Sequence, residues 1–163
     1  MHPLRRKEKA IESEEQLRKI LASTKYITFA MCKDNEPYLV TVSHGYDKKK
    51  HCLYFHCAHD GKKIDYIKTN STVWGQALVD HGYAPGKCDH LFETVMFQGT
   101  VSFPAEVEEK RHALDVMINQ LEPEPKTVWD AQVTEKSVKR VNIGRIDISY
   151  MSGKRAKKVI VSM

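Results

Sequence analysis

The sequence predicts a mainly antiparallel β domain of six or seven strands, closed or nearly closed into a small barrel, with helices at its periphery. Three observations carry this. β-rich runs recur along most of the 163 residues, divided by turn signals. The helical patterns between them are too few for the regular β-α alternation of a doubly wound sheet. A small barrel also removes most of the exposed strand edges that so many strands would otherwise leave.

The elements follow in order. Ser13-Glu14-Glu15-Gln16 has the form of a capping box, and Leu17, Ile20 and Leu21 follow at helical spacing, so a short amphipathic helix opens the domain and packs on the barrel. Tyr26 to Cys32, Tyr38 to Tyr46 and Cys52 to Cys57 are β-rich runs that read as an antiparallel meander, divided by Asp34-Asn35-Glu36-Pro37 and Asp47-Lys48-Lys49-Lys50. A turn at Asp60-Gly61 leads into Lys62 to Asn70, where Ile64 and Ile67 predict a short helix. Two strands, Thr72 to Val79 and Glu93 to Phe103, are joined by Asp80 to Leu91, a Gly-, Pro- and His-bearing loop long enough to be functional. Val107, Arg111, Leu114, Ile118 and Leu121 form a helical stripe that the proline-containing segment Glu122 to Pro125 stops. Ser137 to Val141 reads as one more helical turn, and Gly144 to Met151 and Val159 to Ser162 as the last β segments.

No repeat or linker divides the chain, so one domain spans residues 1–163, with 1–12 and 156–163 expected to be flexible or peripheral. No apolar run approaches the roughly 18 residues of a membrane span, and the basic start leads into Glu12, Glu14 and Glu15 rather than a signal-peptide core, so the expected compartment is the cytoplasm. Cys32, Cys52, Cys57 and Cys88 do not have the spacing of a disulfide framework and read as reduced thiols. The net charge of +5 is modest, and its clusters (Arg5 to Lys9, Lys48 to Lys50, Lys154 to Lys158) read as solvated turns and tails, with Lys62 and Lys63 set apart.

Those two lysines stand in the most informative stretch, Leu53 to Asp65: a strand, a glycine turn, two lysines, then a helix. The first N–H groups of a helix have no internal partner and sit at the positive end of its dipole, so a phosphate placed there collects hydrogen bonds. The spacing is not that of a Walker loop, which disfavours a nucleotide triphosphatase, and no G-x-G-x-x-G follows a strand, so any nicotinamide donor would bind only transiently.

Tyr-Phe-His-Cys-Ala-x-x-Gly-Lys-Lys-x-Asp-x-Ile over 54–67 resembles the hallmark of the nitroimidazole-resistance-like flavoproteins, a branch of the pyridoxamine-phosphate-oxidase-like superfamily. Glu36 to Ser43 resembles that family's flavin-contacting strand and Glu93 to Thr100 its later barrel strand, so the likeness runs from about Glu8 to Arg155. It implies a split β-barrel homodimer with flavin mononucleotide (FMN) at the subunit interface. The ring would lie against Val40, Thr41, Val42 and Ser43, and the phosphate near Gly61, Lys62 and Lys63, with His56, Cys57, Ala58, Ile64 and Gln98 also in cofactor contact. It further implies an FMN-dependent oxidoreductase acting on nitro-aromatic or other small acceptors. The chain departs from the family in having Lys68 where relatives often have an arginine, and in its basic carboxyl end.

Individual residues keep alternatives open. Cys52, Tyr54 and His56 face one side of their strand and Leu53, Phe55 and Cys57 the other, which sets the two cysteines apart. A zinc site among His51, Cys52, His56, Cys57 and His59 is therefore disfavoured, and no metal is expected. His56 is the candidate catalytic residue; the competing reading is a rim histidine bonded to a backbone carbonyl. Cys88, Asp89 and His90 do not place a base by a nucleophile, and Trp74 reads as core while Trp129 is a second aromatic that could stack on a flavin. Two rival functions remain: a non-enzymatic flavin or haem binder on the same barrel, and a nucleic-acid-binding barrel, which lacks stacking aromatics among its lysines.

Overall fold

In the computed structural model, which describes residues 4–156, helix α1 (Glu14–Ser23) starts where the capping pattern predicts, with the Ser13 hydroxyl accepting from the Gln16 N–H at 3.3 Å. Leu17, Ile20 and Leu21 are its buried face. Before it, the Ile11 N–H donates to the Gly153 carbonyl at 3.0 Å and the Ile11 side chain enters the core.

Strands β1 (Tyr26–Lys33) and β2 (Glu36–Ser43) form a tight hairpin in which Asp34 and Asn35 take positive φ, a conformation these two residues tolerate better than most. The run expected from Tyr38 to Tyr46 is broken at His44, and β3 is only Gly45–Asp47. His44 is fully buried; its Nε2 donates to the Leu21 carbonyl at 3.0 Å. Gln120 locks the same corner, donating to the Thr24 carbonyl at 2.7 Å and accepting from the Tyr46 N–H at 2.8 Å. These bonds to α1 and to a later helix, rather than a ladder, satisfy the chain here.

β4 (Cys52–Cys57) and α2 (Lys62–Thr69) follow as predicted. The long loop expected over Asp80 to Leu91 is instead an extension of two strands, β5 (Thr72–Ala84) and β6 (Asp89–Ser102), paired beyond a register shift between Asp80 and Tyr83. Helix α3 (Val107–Leu121) matches the predicted stripe in extent. Its most buried residues are Ala113 and Met117, with Leu114 and Leu121 at the margin. Two short helices follow, α4 (Pro125–Gln132), which was not predicted, and α5 (Glu135–Arg140), which carries a reciprocal capping box between Thr134 and Ser137. One long strand, β7 (Asn142–Ala156), replaces the expected Gly144 to Met151; Val159 to Ser162 lies outside the described residues.

All pairings are antiparallel, and the sheet order is β2-β1-β5-β6-β7-β4-β3. The expected meander is therefore wrong in one respect: β2 and β3, adjacent in sequence, lie at opposite edges. The sheet curls so that β2 packs against β4 but does not pair with it, leaving the barrel open along that seam. Its interior is one hydrophobic cluster that includes Phe29, Leu53, Phe55, Phe97 and Ile146. A second, smaller cluster joins Cys52, Tyr54 and Ile143 to Ala113 and Met117 of α3. Among the described residues no helix is long and apolar enough to cross a membrane.

Candidate functional site

The turn between β4 and α2 is held by Asn142, whose amide donates to the Ala58 carbonyl at 2.9 Å and more weakly to the Cys57 sulfur at 3.5 Å. Cys57 packs on the core and burial raises its thiol pKa, so Cys57 and Ala58 shape the turn rather than supply reactive groups. Gly61 takes φ 109°, a conformation that favours glycine, and has no side chain to cap the helix. The first internal bond of α2 runs from the Asp65 N–H to the Gly61 carbonyl at 3.1 Å, so the N–H groups of Lys62, Lys63 and Ile64 are left without intrahelical acceptors.

Strand β2 lies directly beside this helix start. Lys62 Nζ is 3.2 Å from Glu36 Oε1 and stands 4.7 Å from the centre of the Tyr38 ring, while Tyr38 packs on Tyr66 of α2 at 5.2 Å. Hydrogen bonds from Tyr66 and then Lys62 hold Glu36 below the usual carboxylate range, and the Glu36 bond raises Lys62. Lys63 Nζ lies 5.4 Å from the Phe55 ring centre. The contribution of Glu36, Tyr38 and Tyr66 was not foreseen. The Lys62–Tyr66 spacing of four was visible in the sequence, but nothing local ties Glu36 to a lysine 26 residues away.

Further along β2, Val40 and Val42 turn inward onto the core, and Thr41 and Ser43 stand on the opposite face. β1 occupies one side of β2; no strand among the described residues pairs with the other, so its backbone donors and acceptors are open to a ligand. Ser43 and His56 meet as lining residues of a cavity of about 400 Å³ beneath α3, α4 and α5. His56 lies on the α3 side of β4, in line with Cys52 and Tyr54, as strand alternation predicted. Its imidazole has no hydrogen-bond partner among the described residues; the rim histidine bound to a backbone carbonyl is His59, whose Nε2 donates to the Arg140 carbonyl at 2.8 Å.

The remaining candidates are dispersed. Gln98 sits on the outer sheet face three strands from β2, in a cross-strand row with Leu39, Ala30, Trp74 and Tyr150, so one chain does not bring it to Lys62 and Lys63. Trp74 is not core: it is 39% exposed on that face, in edge contact with Tyr150. Trp129 lies in a cleft between α3 and α4. Cys88 is exposed at a hairpin turn with φ 49°, and His90 bonds to Asp80 at 2.7 Å rather than to a thiol. His51 is taken by the Tyr46 hydroxyl at 2.8 Å, and no cluster of metal-binding side chains occurs among the described residues.

A second polar group, unanticipated from the sequence, sits at the far end of β4. Glu109 of α3 bonds to Tyr54, Lys50 and Arg145, and Asp47 pairs with His112 at 2.6 Å. Burial pushes the Tyr54 hydroxyl well up and the Cys52 thiol to about 11. Burial also works against ionised Glu109 and Asp47, but the bonds from Lys50 and Tyr54 and from His112 outweigh it and leave both carboxyls low. These groups are mutually satisfied and tie α3 to the sheet.

No curated protein matches the chain in sequence. Solved structures do. A candidate 5-nitroimidazole antibiotic resistance protein from Bacteroides thetaiotaomicron superposes with a TM-score of 0.75 at 25% identity, over 89% of this chain and 85% of that one. The flavocytochrome Anf3 of Azotobacter vinelandii gives 0.79 at 16% identity, covering 96% of this chain and 73% of its own. An FAD and haem binding protein of Mycobacterium smegmatis gives 0.77 at 15%, covering 95% and 77%. The last two share the fold, and the open seven-stranded sheet is the split barrel of this group. The family profile of pyridoxamine 5'-phosphate oxidase matches residues 13–155, from the cap of α1 to the penultimate residue of β7, and the chain belongs to that family.

Proposed function

We propose that this chain is an FMN-binding flavoprotein that works as a homodimer and acts as an oxidoreductase on small acceptors. The observation that carries the reading is the juxtaposition of an open α2 N-terminus bearing Lys62 and Lys63 with the unpaired edge of β2, joined by the Glu36–Lys62 pair. The helix start fits a phosphate, and a strand edge offers alternating N–H and C=O groups to the rim of a flavin ring. When bound, the flavin supplies the hydride or electron transfer. Lys62 and Lys63 anchor the phosphate, Asn142 keeps their turn in shape, and His56, unpartnered beside Ser43, is the residue placed to bond an acceptor or hold a proton at its imidazole. A nicotinamide donor would approach transiently, since the fold has no dinucleotide crevice of its own.

The outer sheet face supports the homodimer. Tyr26, Leu39, Trp74, Leu78 and Met96 are exposed there on adjoining strands, apolar surface that a second copy would cover. Gln98 lies within it, and a second copy laid on this face is the route by which Gln98 reaches a flavin on the partner's β2. The purified protein should take up FMN and show a bound-flavin absorption spectrum. Failure to bind FMN would overturn the assignment.

One observation favours a second reading, a haem protein on the same barrel: His56 lines a cavity with its imidazole unpartnered and would be the residue to hold the iron. A Soret band on haem addition, with no flavin uptake, would select it.

A further inference from the structure

The helical stripe of α3 divides in the fold. Ala113 presses onto the sheet, Met117 reaches both the sheet and the cavity beneath α4 and α5, and Leu114, Ile118 and Leu121 line that cavity. Val128 of α4 and Val133 and Val141 on either side of α5 complete an apolar wall. Apolar surface left lining an open space forgoes the packing that a closed core would give it, and a ligand restores that packing.

The polar lining is the smaller part: Ser43 and His56 at one side, with Glu122, Gln132 and Ser137. Ser137 spends its hydroxyl on the α5 cap and on the Gln132 carbonyl at 2.8 Å. The side chains of His56 and Ser43, at the barrel seam, have no hydrogen-bond partners among the described residues. Glu122 is the one charged side chain among the lining residues.

We propose that this cavity is a binding pocket for a neutral, flat molecule of one or two fused rings that carries a single hydrogen-bonding group. The rings lie against Ile118, Leu121 and Val128, and the polar group meets His56 and Ser43. A volume of about 400 Å³ suits a ligand of that size, and the Glu122 carboxylate disfavours an anionic one. That the ligand is the acceptor of the flavin rests on the function proposed above, because Ser43 is shared with the flavin strand; the pocket's capacity for rings does not rest on it.

The test is calorimetric titration of the whole protein with 1-naphthol and, separately, 1-naphthoate, alongside FMN. Wild-type protein is expected to bind 1-naphthol with a dissociation constant below about 1 mM and 1-naphthoate at least fivefold more weakly. Val128→Trp, on a helix with no buried residue, fills the space and is expected to weaken 1-naphthol binding at least tenfold with FMN affinity and melting temperature unchanged. Val128→Ala leaves binding within about threefold. Absence of 1-naphthol binding, or binding indifferent to Val128→Trp, overturns the pocket. Val128-sensitive binding in a protein that takes up no FMN upholds the pocket and sinks the flavin assignment alone.

Discussion

Lys62 and Lys63 divide their labour in the free protein. Lys62 is held by Glu36 and the face of Tyr38, and Lys63 lies over Phe55, so both ammonium groups are gathered at the α2 start without a buried partner. The double substitution Lys62→Ala, Lys63→Ala is expected to weaken FMN binding at least tenfold, read by fluorescence titration. It should leave the melting temperature within a few degrees, because Lys62 is half-exposed and its ion pair contributes little to stability. His44 governs a different property. Burial lowers its pKa below 6.5, so the folded state holds it neutral while the unfolded chain binds a proton. Stability is then fully present above pH 6.5 and declines as pH falls toward the folded value, with a slope up to about 1.4 kcal/mol per pH unit for one group. Urea denaturation from pH 7.5 to 5 should show this decline, and His44→Gln should flatten it. A decline of equal slope in the variant would assign the effect elsewhere. The direction of His56 was legible because strand alternation is local. The burial of His44 was not, because its partner Leu21 and its neighbour Gln120 lie on two helices distant in sequence.

Elements were read best where their own residues decide them. α1, β4, α2 and α3 carry caps or periodicities that survive packing. α4 was missed because Pro125 reads as a stop to α3, whereas it also suits the first position of a new helix, where its missing N–H costs nothing. The β5–β6 arm was taken for a loop because Gly82 and Gly86 break its propensity, yet pairing between the strands overrides that across the register shift. β3 shows how tightly an element can be specified by one absent side chain. A Cβ on Gly45 would lie 2.7 Å from the backbone N and Cα of Met117, and a helix backbone cannot step aside as a side-chain tip can. Gly45→Ala is expected to destabilise the fold by about 1–3 kcal/mol, measured by chemical denaturation. A change below about 0.5 kcal/mol would mean that α3 rides on β3 more loosely than its geometry implies.

At the scale of the molecule, Leu39, Trp74, Gln98 and Tyr150 form an outward row across one face of five neighbouring strands, with Ala30 between the first two and Leu39 and Trp74 exposed. Leu39→Lys together with Trp74→Glu puts charge at its end and its centre and is expected to halve the sedimentation mass and abolish FMN uptake, with the circular dichroism spectrum retained. Wild-type protein sedimenting as a monomer would remove the dimer from the proposal. A mainly antiparallel barrel could be read from the succession of strands. Their order could not, since β1–β5 and β4–β7 pairings depend on contacts dozens of residues apart, and the outward aspect of Trp74 follows from that order rather than from its own hydrophobicity.

The separation of β4 from β7 bears on how the chain is made. On the ribosome, β1 and β2 can zip together as soon as they emerge, but β4 must wait until Asn142 and its successors are synthesised before its ladder partner exists. At ~5–20 residues per second, the interval is several seconds, during which Cys52–Cys57 presents an apolar, unpaired edge to the cell. The covering of that edge by late-arriving β7 makes the nascent chain, rather than the finished protein, the species whose strand edge is most open to wrong pairing.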